Sequence, residues 1–158
     1  MIIGDSATRQ SGNLAERRVC AELERCRKDW RAFESIQMAE DLADAVWNEV
    51  VSWNPFPRDT LGRQFVEAAD SVGGNIAEGY GRYHYRDSRR FQYYARGSLF
   101  ETRHWLRRAH ERDLLSDERF EELAGRVQAL APQLNAYIRM LVRRSKNGGS
   151  KRQAPEGP

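Results

Sequence analysis

Residues 71–112, SVGGNIAEGYGRYHYRDSRRFQYYARGSLFETRHWLRRAHER, decide how this chain is read. They place glycines, aromatics and arginines in two helices and the turn between them. Asn75-Ile76-Ala77-Glu78-Gly79-Tyr80, followed by Gly81 and Arg82, reads as a helix end with an Asn and a Glu beside the core. Polar groups placed there need hydrogen-bond partners. The segment is therefore under a specific structural or functional demand, though it names no reaction.

Working outward, the flanking stretches repeat a helical period. Leu61, Phe65, Ala68, Val72 and Ile76 share one face of the helix that Gly79 and Gly81 are expected to end. Phe91, Ala95, Ser98, Thr102, Trp105 and Ala109 set the core side of the next helix, capped by Asp87 or Ser88. Ser116 caps the last helix, with Asp117 and Glu118 against its N-terminal dipole and the stripe Phe120, Leu123, Val127, Leu130, Leu134, Tyr137, Leu141 inward. Pro132 removes an amide from that helix and predicts a kink. Upstream, Ile36, Ala39, Ala43, Val46, Val50 and Trp53 form a stripe that Asn54-Pro55-Phe56-Pro57 stops; Asp59 or Thr60 caps the helix after it. A separate stripe over residues 13–33 meets it with a change of phase at Phe33.

No strand pattern is present. Short connections between amphipathic helices predict an all-α, antiparallel up-down-up-down four-helix bundle. The expected layout is a disordered N-terminus at 1–12, a helical extension at 13–32, the bundle at 33–145 and a disordered Gly/Pro/Ser-rich tail at 146–158.

The 158 residues suffice for one domain with its own core. Charged residues at 31% and a mean hydropathy of −0.79 fit a soluble helical protein. No apolar run nears the roughly 18 residues of a membrane helix, and the N-terminus lacks a signal-peptide layout. A cytoplasmic protein without a membrane partner is expected. Cys20 and Cys26, six apart in a helix, are too splayed for an internal bridge and read as reduced thiols.

The net charge is only +3, but 23 of the 26 basic residues are arginine. Residues 78–112 hold nine arginines against four acids, and residues 139–152 hold six basic residues and no acid. A GC-rich genome would also favour arginine, so the distribution is more telling than the total. Advancing about 100° per residue from Phe91 puts Tyr93 and Phe100 on the outer face, among Arg89, Arg96, Arg103 and Arg107. Arginine interleaved with large aromatics suits a subunit interface. It also suits a single-stranded nucleic-acid surface, with arginine on phosphates and rings under bases. A plain solvated face would not need the rings. The candidate nucleic-acid residues are Arg82, Arg86, Arg89, Arg90, Arg96, Arg103, Arg107, Arg143 and Arg144. The preceding helix has a second small-residue face, Val66, Gly73 and Ala77. Mid-helix Gly73 and Gly74 each cost roughly 1 kcal/mol relative to Ala, which fits close approach of another helix in the bundle or in a second subunit. Val66, Gly73, Ala77, Tyr93 and Phe100 are thus candidate interface residues. Asn75, Glu78 and Glu101 are expected to form a structural polar network, with Arg82 and Arg96 as partners.

Chemistry finds little support. Glu101-Thr102-Arg103-His104 matches the Glu-x-x-His half of a di-iron bundle, but one copy alone makes no such site. No phosphate-binding loop follows a strand, and no zinc-finger spacing occurs. No catalytic residue, metal or cofactor is assigned.

NIAEGYGR at 75–82 and ARGSLFET at 95–102 resemble the bacterial four-helix-bundle proteins called 23S rRNA intervening-sequence proteins. Their pattern is Asn-Ile-Ala-Glu-Gly, a nearby Gly-Arg and a later Gly-Ser-x-x-Glu, here Asn75 to Gly79, Gly81-Arg82 and Gly97 to Glu101. Gly62-Arg63-Gln64 and Ser71 fit a looser upstream pattern. The resemblance spans about residues 33–144. It implies a bundle that assembles into a ring homo-oligomer, a pentamer; the chain itself is expected to be non-enzymatic. It also implies kinship with accessory proteins of diversity-generating retroelements, which act with a reverse transcriptase and nucleic acid. RNA or DNA and a reverse transcriptase are thus the implied partners. Two departures stand out. Met38-Ala39 occupy the place of the family's Val-Trp pair, and residues 1–32 precede the bundle.

Overall fold

The computed structural model describes residues 30–147, so the expectations for 1–12, for 13–29 and for 148–158 lie outside the described residues. Four long helices make an all-α bundle: α1 (Trp30–Val51), α2 (Arg63–Gly81), α3 (Tyr85–His110) and α4 (Asp117–Lys146). Each packs on two neighbours, in the cyclic order α1, α2, α3, α4. The α1/α2 face and the α3/α4 face are therefore opposite sides of one square prism.

α1 is continuous across residue 33, where the stripe changes phase. Ala32 is buried with Tyr137 and Leu141 of α4, so the start of α1 lies against the end of α4. At the other end, the Arg119 guanidinium donates to Glu49 Oε2 at 2.8 Å and to the Ala45 carbonyl at 2.9 Å. Glu49 also accepts from Trp53 Nε1 at 3.2 Å. These contacts fix α1 and α4 as antiparallel.

The chain re-enters helix at Pro55, one turn earlier than a cap at Asp59 or Thr60 would allow. Proline suits a first helical position because the amide it lacks has no partner there. Pro55–Pro57 and a wider π turn, Arg58–Gly62, lead straight into α2, and Thr60 Oγ1 donates to the Phe56 carbonyl at 2.7 Å. α3 also begins early. His84 flanks it, and Ser88 is buried inside the first turns instead of capping. Ser116 does cap α4, accepting from the Arg119 amide at 3.2 Å. α4 runs through Pro132 as one helix.

The α3 core stripe is Ser88, Gln92, Ala95, Leu99, Thr102, Leu106 and Ala109. It alternates steps of four and three, a bundle seam. The expected stripe shares Ala95, Thr102 and Ala109 with it but is turned toward Phe91 and Trp105, which are only half-buried.

Gly79 is not a helix terminator. It sits inside α2 where α3 crosses, and a Cβ there would lie 2.5 Å from Gln92 Nε2 and 2.8 Å from Phe91 Cβ. Gly73 and Gly74 differ. A Cβ at Gly73 would meet only Ala39 Cβ, at an ordinary 3.7 Å, and one at Gly74 would meet nothing within 4 Å. Close packing inside the bundle therefore does not explain either glycine.

Candidate nucleic-acid interface

The antiparallel order brings the start of α1, the end of α2, the start of α3 and the end of α4 to one end of the bundle. Residues 31–35, 76–92 and 137–147 supply nine cations there: Arg31, Arg82, Arg86, Arg89, Arg90, Arg139, Arg143, Arg144 and Lys146. They supply three acids, Glu34, Glu78 and Asp87. Six of the nine candidate arginines, 82, 86, 89, 90, 143 and 144, fall in this set. Among the described residues, Arg86, Arg89 and Arg143 have no carboxylate at ion-pair distance.

Aromatic rings lie between these cations. The Arg82 guanidinium lies 4.5 Å from the Phe91 centroid. Arg90 is 5.7 Å from the exposed Tyr94, and Arg144 is 5.7 Å from Tyr85. Tyr83 is also exposed and meets His84 edge-on at 4.7 Å. A guanidinium held over a ring face can still direct its N–H edge at an oxygen acceptor, as Arg82 does at Glu78.

The opposite end is mixed and paired internally. Arg58 meets Asp59, Arg107 and Arg108 meet Glu111, and His110 Nε2 lies 2.8 Å from Asp117 Oδ1. Hydrogen bonds from Arg119 and Arg126 hold the Glu122 carboxyl below its usual range.

The remaining candidate arginines, Arg96, Arg103 and Arg107, run down the side of α3. With exposed Phe100 they flank a groove of ≈ 740 Å³ between α3 and α4, floored by Leu99, Val127 and Ala131. Phe100 is 64% exposed, and Tyr93 stands two turns away with the Arg96 guanidinium 5.1 Å from its ring. So the nine arginines form two groups, one at an end and one on a side.

On the opposite side, Gly73, Gly74 and Ala77 line a groove of ≈ 260 Å³ with Ala39 and Ala43. Val66 is half-buried against the core instead. Glu40, Asp44 and Asp70 make this groove acidic. Burial, and then repulsion from Asp44, raise the Asp70 carboxyl above the usual carboxylate pKa. Beside them on the same α1 face, Trp47 is 57% exposed.

Of the expected polar network, the Glu78–Arg82 pair forms, at the surface, and the described contacts do not join Asn75 or Glu101 to it. Asn75 is half-buried and its Nδ2 donates to the Ser71 carbonyl at 2.7 Å, within its own helix. Glu78 pairs with Arg82 at the surface, their side chains 51% and 46% exposed. Glu101 is exposed. Only Ile76 and Gly79 of the hexapeptide are buried; the register turns Glu78 outward. Glu78→Ala should therefore change stability by less than about 1 kcal/mol, as exposed ion pairs do. Thermal unfolding of the variant checks this, and a loss of several kcal/mol would mean Glu78 has a buried partner.

Glu101 and His104 are both exposed, and no group of three metal-ligating side chains occurs among the described residues. No described helix is long and apolar enough to cross a membrane. The features that sequence reasoning missed are the buried Gln92, the Arg119 contacts and the acidic groove.

Comparison with known proteins supplies the relatives. The family model described as 23S rRNA-intervening sequence protein matches residues 31–136. A crystal structure of a protein of unknown function from the S23 ribosomal protein family of Bacteroides thetaiotaomicron superposes with a TM-score of 0.62. The two are 17% identical, and the match covers 69% of this chain and 98% of that one. At that identity the likeness bears on fold alone. No curated protein matches the chain.

Proposed function

The chain belongs to the 23S rRNA-intervening sequence protein family, and on that footing we propose that it is a non-enzymatic, homo-oligomeric accessory protein that binds single-stranded nucleic acid in the cytoplasm. The observation that carries this reading is the basic end of the bundle, where nine cations stand against three acids. The chemistry fits phosphate and base together. Arginine forks take phosphate oxygens in pairs. Exposed Tyr83 and Tyr94 offer rings on which unpaired bases stack without regard to identity. A single protomer carries a modest net charge, but a symmetric assembly repeats the end and multiplies its local field.

Fluorescence anisotropy with labelled RNA and DNA oligonucleotides of several sequences tests the reading. Binding should be tolerant of sequence, and log affinity should fall linearly against log salt by roughly 0.7 per phosphate contacted. Absence of binding at low salt, or binding indifferent to salt, contradicts it. A scaffold for a protein partner such as a reverse transcriptase would then fit better.

A further inference from the structure

The two side faces of the bundle match each other. One carries Arg96, Phe100 and Arg103 on α3, and the other carries Asp44, Trp47 and Asp70 on α1 and α2. We propose that the α3 ridge of one copy seats in the α1/α2 groove of a second copy, head to tail, with Arg96 and Arg103 on Asp44 and Asp70 and with Phe100 over the glycine floor.

Charge supports the pairing first. Neither Asp44 nor Asp70 has a cationic partner among the described residues, and the two exposed carboxylates share the rim of one groove, where partial burial and repulsion from Asp44 push the Asp70 carboxyl up. That arrangement is unfavourable in a lone protomer and is relieved by an arriving guanidinium. Among the described residues neither Arg96 nor Arg103 has a carboxylate partner, and the Arg96 guanidinium lies over the Tyr93 ring.

The glycines support it independently. Gly74 on the groove and Gly97 on α3 both sit mid-helix with nothing within 4 Å of a Cβ. Each position costs the protomer roughly 1 kcal/mol relative to Ala with no return inside it. Close approach of a neighbouring helix gives each one a reason. The exposed Phe100 and Trp47 supply the apolar contact such an interface centres on.

Because the faces lie on opposite sides, the contact is heterologous and propagates until a rotation closes it. Every basic end then falls on the same rim when the bundles stand along the ring axis. The inference thus deepens the oligomer part of the proposed function and rests on it.

Light scattering on a sizing column tests the pairing with two charge-reversed variants, D44R/D70R and R96E/R103E. Wild type should elute as a multimer and each variant as a folded monomer. An equimolar mixture should regain a multimer, alternating and therefore of even subunit number whatever the wild-type ring size, because each variant keeps one native face and the reversed faces also complement one another. Gly97→Leu, which has open space in the protomer, should keep its helicity and weaken self-association at least about tenfold. A monomeric wild type at micromolar concentration overturns the proposal. So does a multimer whose mass neither charge-reversed pair alters, or a folded pair that mixing fails to rescue. Oligonucleotide anisotropy on the same samples separates the two claims. A multimer that passes the mixing test but binds no oligonucleotide upholds the pairing and sinks the nucleic-acid reading. If R96E/R103E keeps its mass but loses the oligonucleotide, the ridge belongs to nucleic acid and the pairing is wrong.

Discussion

Gly79→Ala should destabilise the bundle by about 2–3 kcal/mol, net of the helix propensity that Ala adds. A Cβ at this position meets three atoms of α3: Gln92 Nε2 at 2.5 Å, Phe91 Cβ at 2.8 Å and the Ser88 carbonyl oxygen at 2.9 Å. Two of these are fixed to the α3 backbone and move only if the helix moves. The third belongs to a fully buried side chain whose Nε2 donates to the Ile76 carbonyl at 3.3 Å. Swinging it away would strand a buried amide. A domain of this size should lose on the order of 10 °C in melting temperature. Gly81→Ala is the control, since a Cβ there meets nothing within 4 Å. Equal melting of the two variants would show that α2 and α3 do not cross as described.

The fold was legible because bundle helices announce themselves by period. The α4 stripe reads correctly from Leu123 to Leu141 because nearly every inward residue is a large aliphatic. The sequence reading of α3 is part of a turn out of register because its first two seam positions are Ser88 and Gln92, beside the large apolar Phe91. A rule that seeks apolar residues passes over a polar residue buried by its partners. Gln92 satisfies its Nε2 on the Ile76 carbonyl at 3.3 Å, a partner sixteen residues away that no periodicity reveals. Gly79 reads as a terminator in sequence because its role depends on a helix that approaches from 13 residues further along. The outward Tyr93 and Phe100 were legible, since angle alone sets them opposite the core. The acidic groove was not, because Glu40 and Asp44 are remote in sequence from Asp70 and only packing brings them together. The split of the arginines into an end and a side was hidden for the same reason. Sequence counts them together, and topology separates them.

Reversing the basic end should have the largest effect on binding. In R86E/R90E/R143E, three cations near the start of α3 and the end of α4 become acids. Arg86 and Arg143 make no ion pair among the described residues, and Arg90 only lies beside Phe91 and Tyr94. Losing them should therefore leave the fold intact. Losing three phosphate contacts should reduce the salt slope by about 2. The reversed charges then repel the backbone as well, and affinity at low salt should fall by roughly a hundredfold or more, alike for every sequence. The lateral faces are untouched, so the assembly should keep its mass.

The decisive measurement is a salt-resolved anisotropy titration of one single-stranded oligonucleotide against wild type and R86E/R90E/R143E, matched for oligomeric mass. Wild type should bind in a salt-sensitive way, and the variant should lose at least about a hundredfold at low salt with a shallower salt slope. Equal affinity and equal slope for the two proteins would remove the basic end as the place where nucleic acid binds.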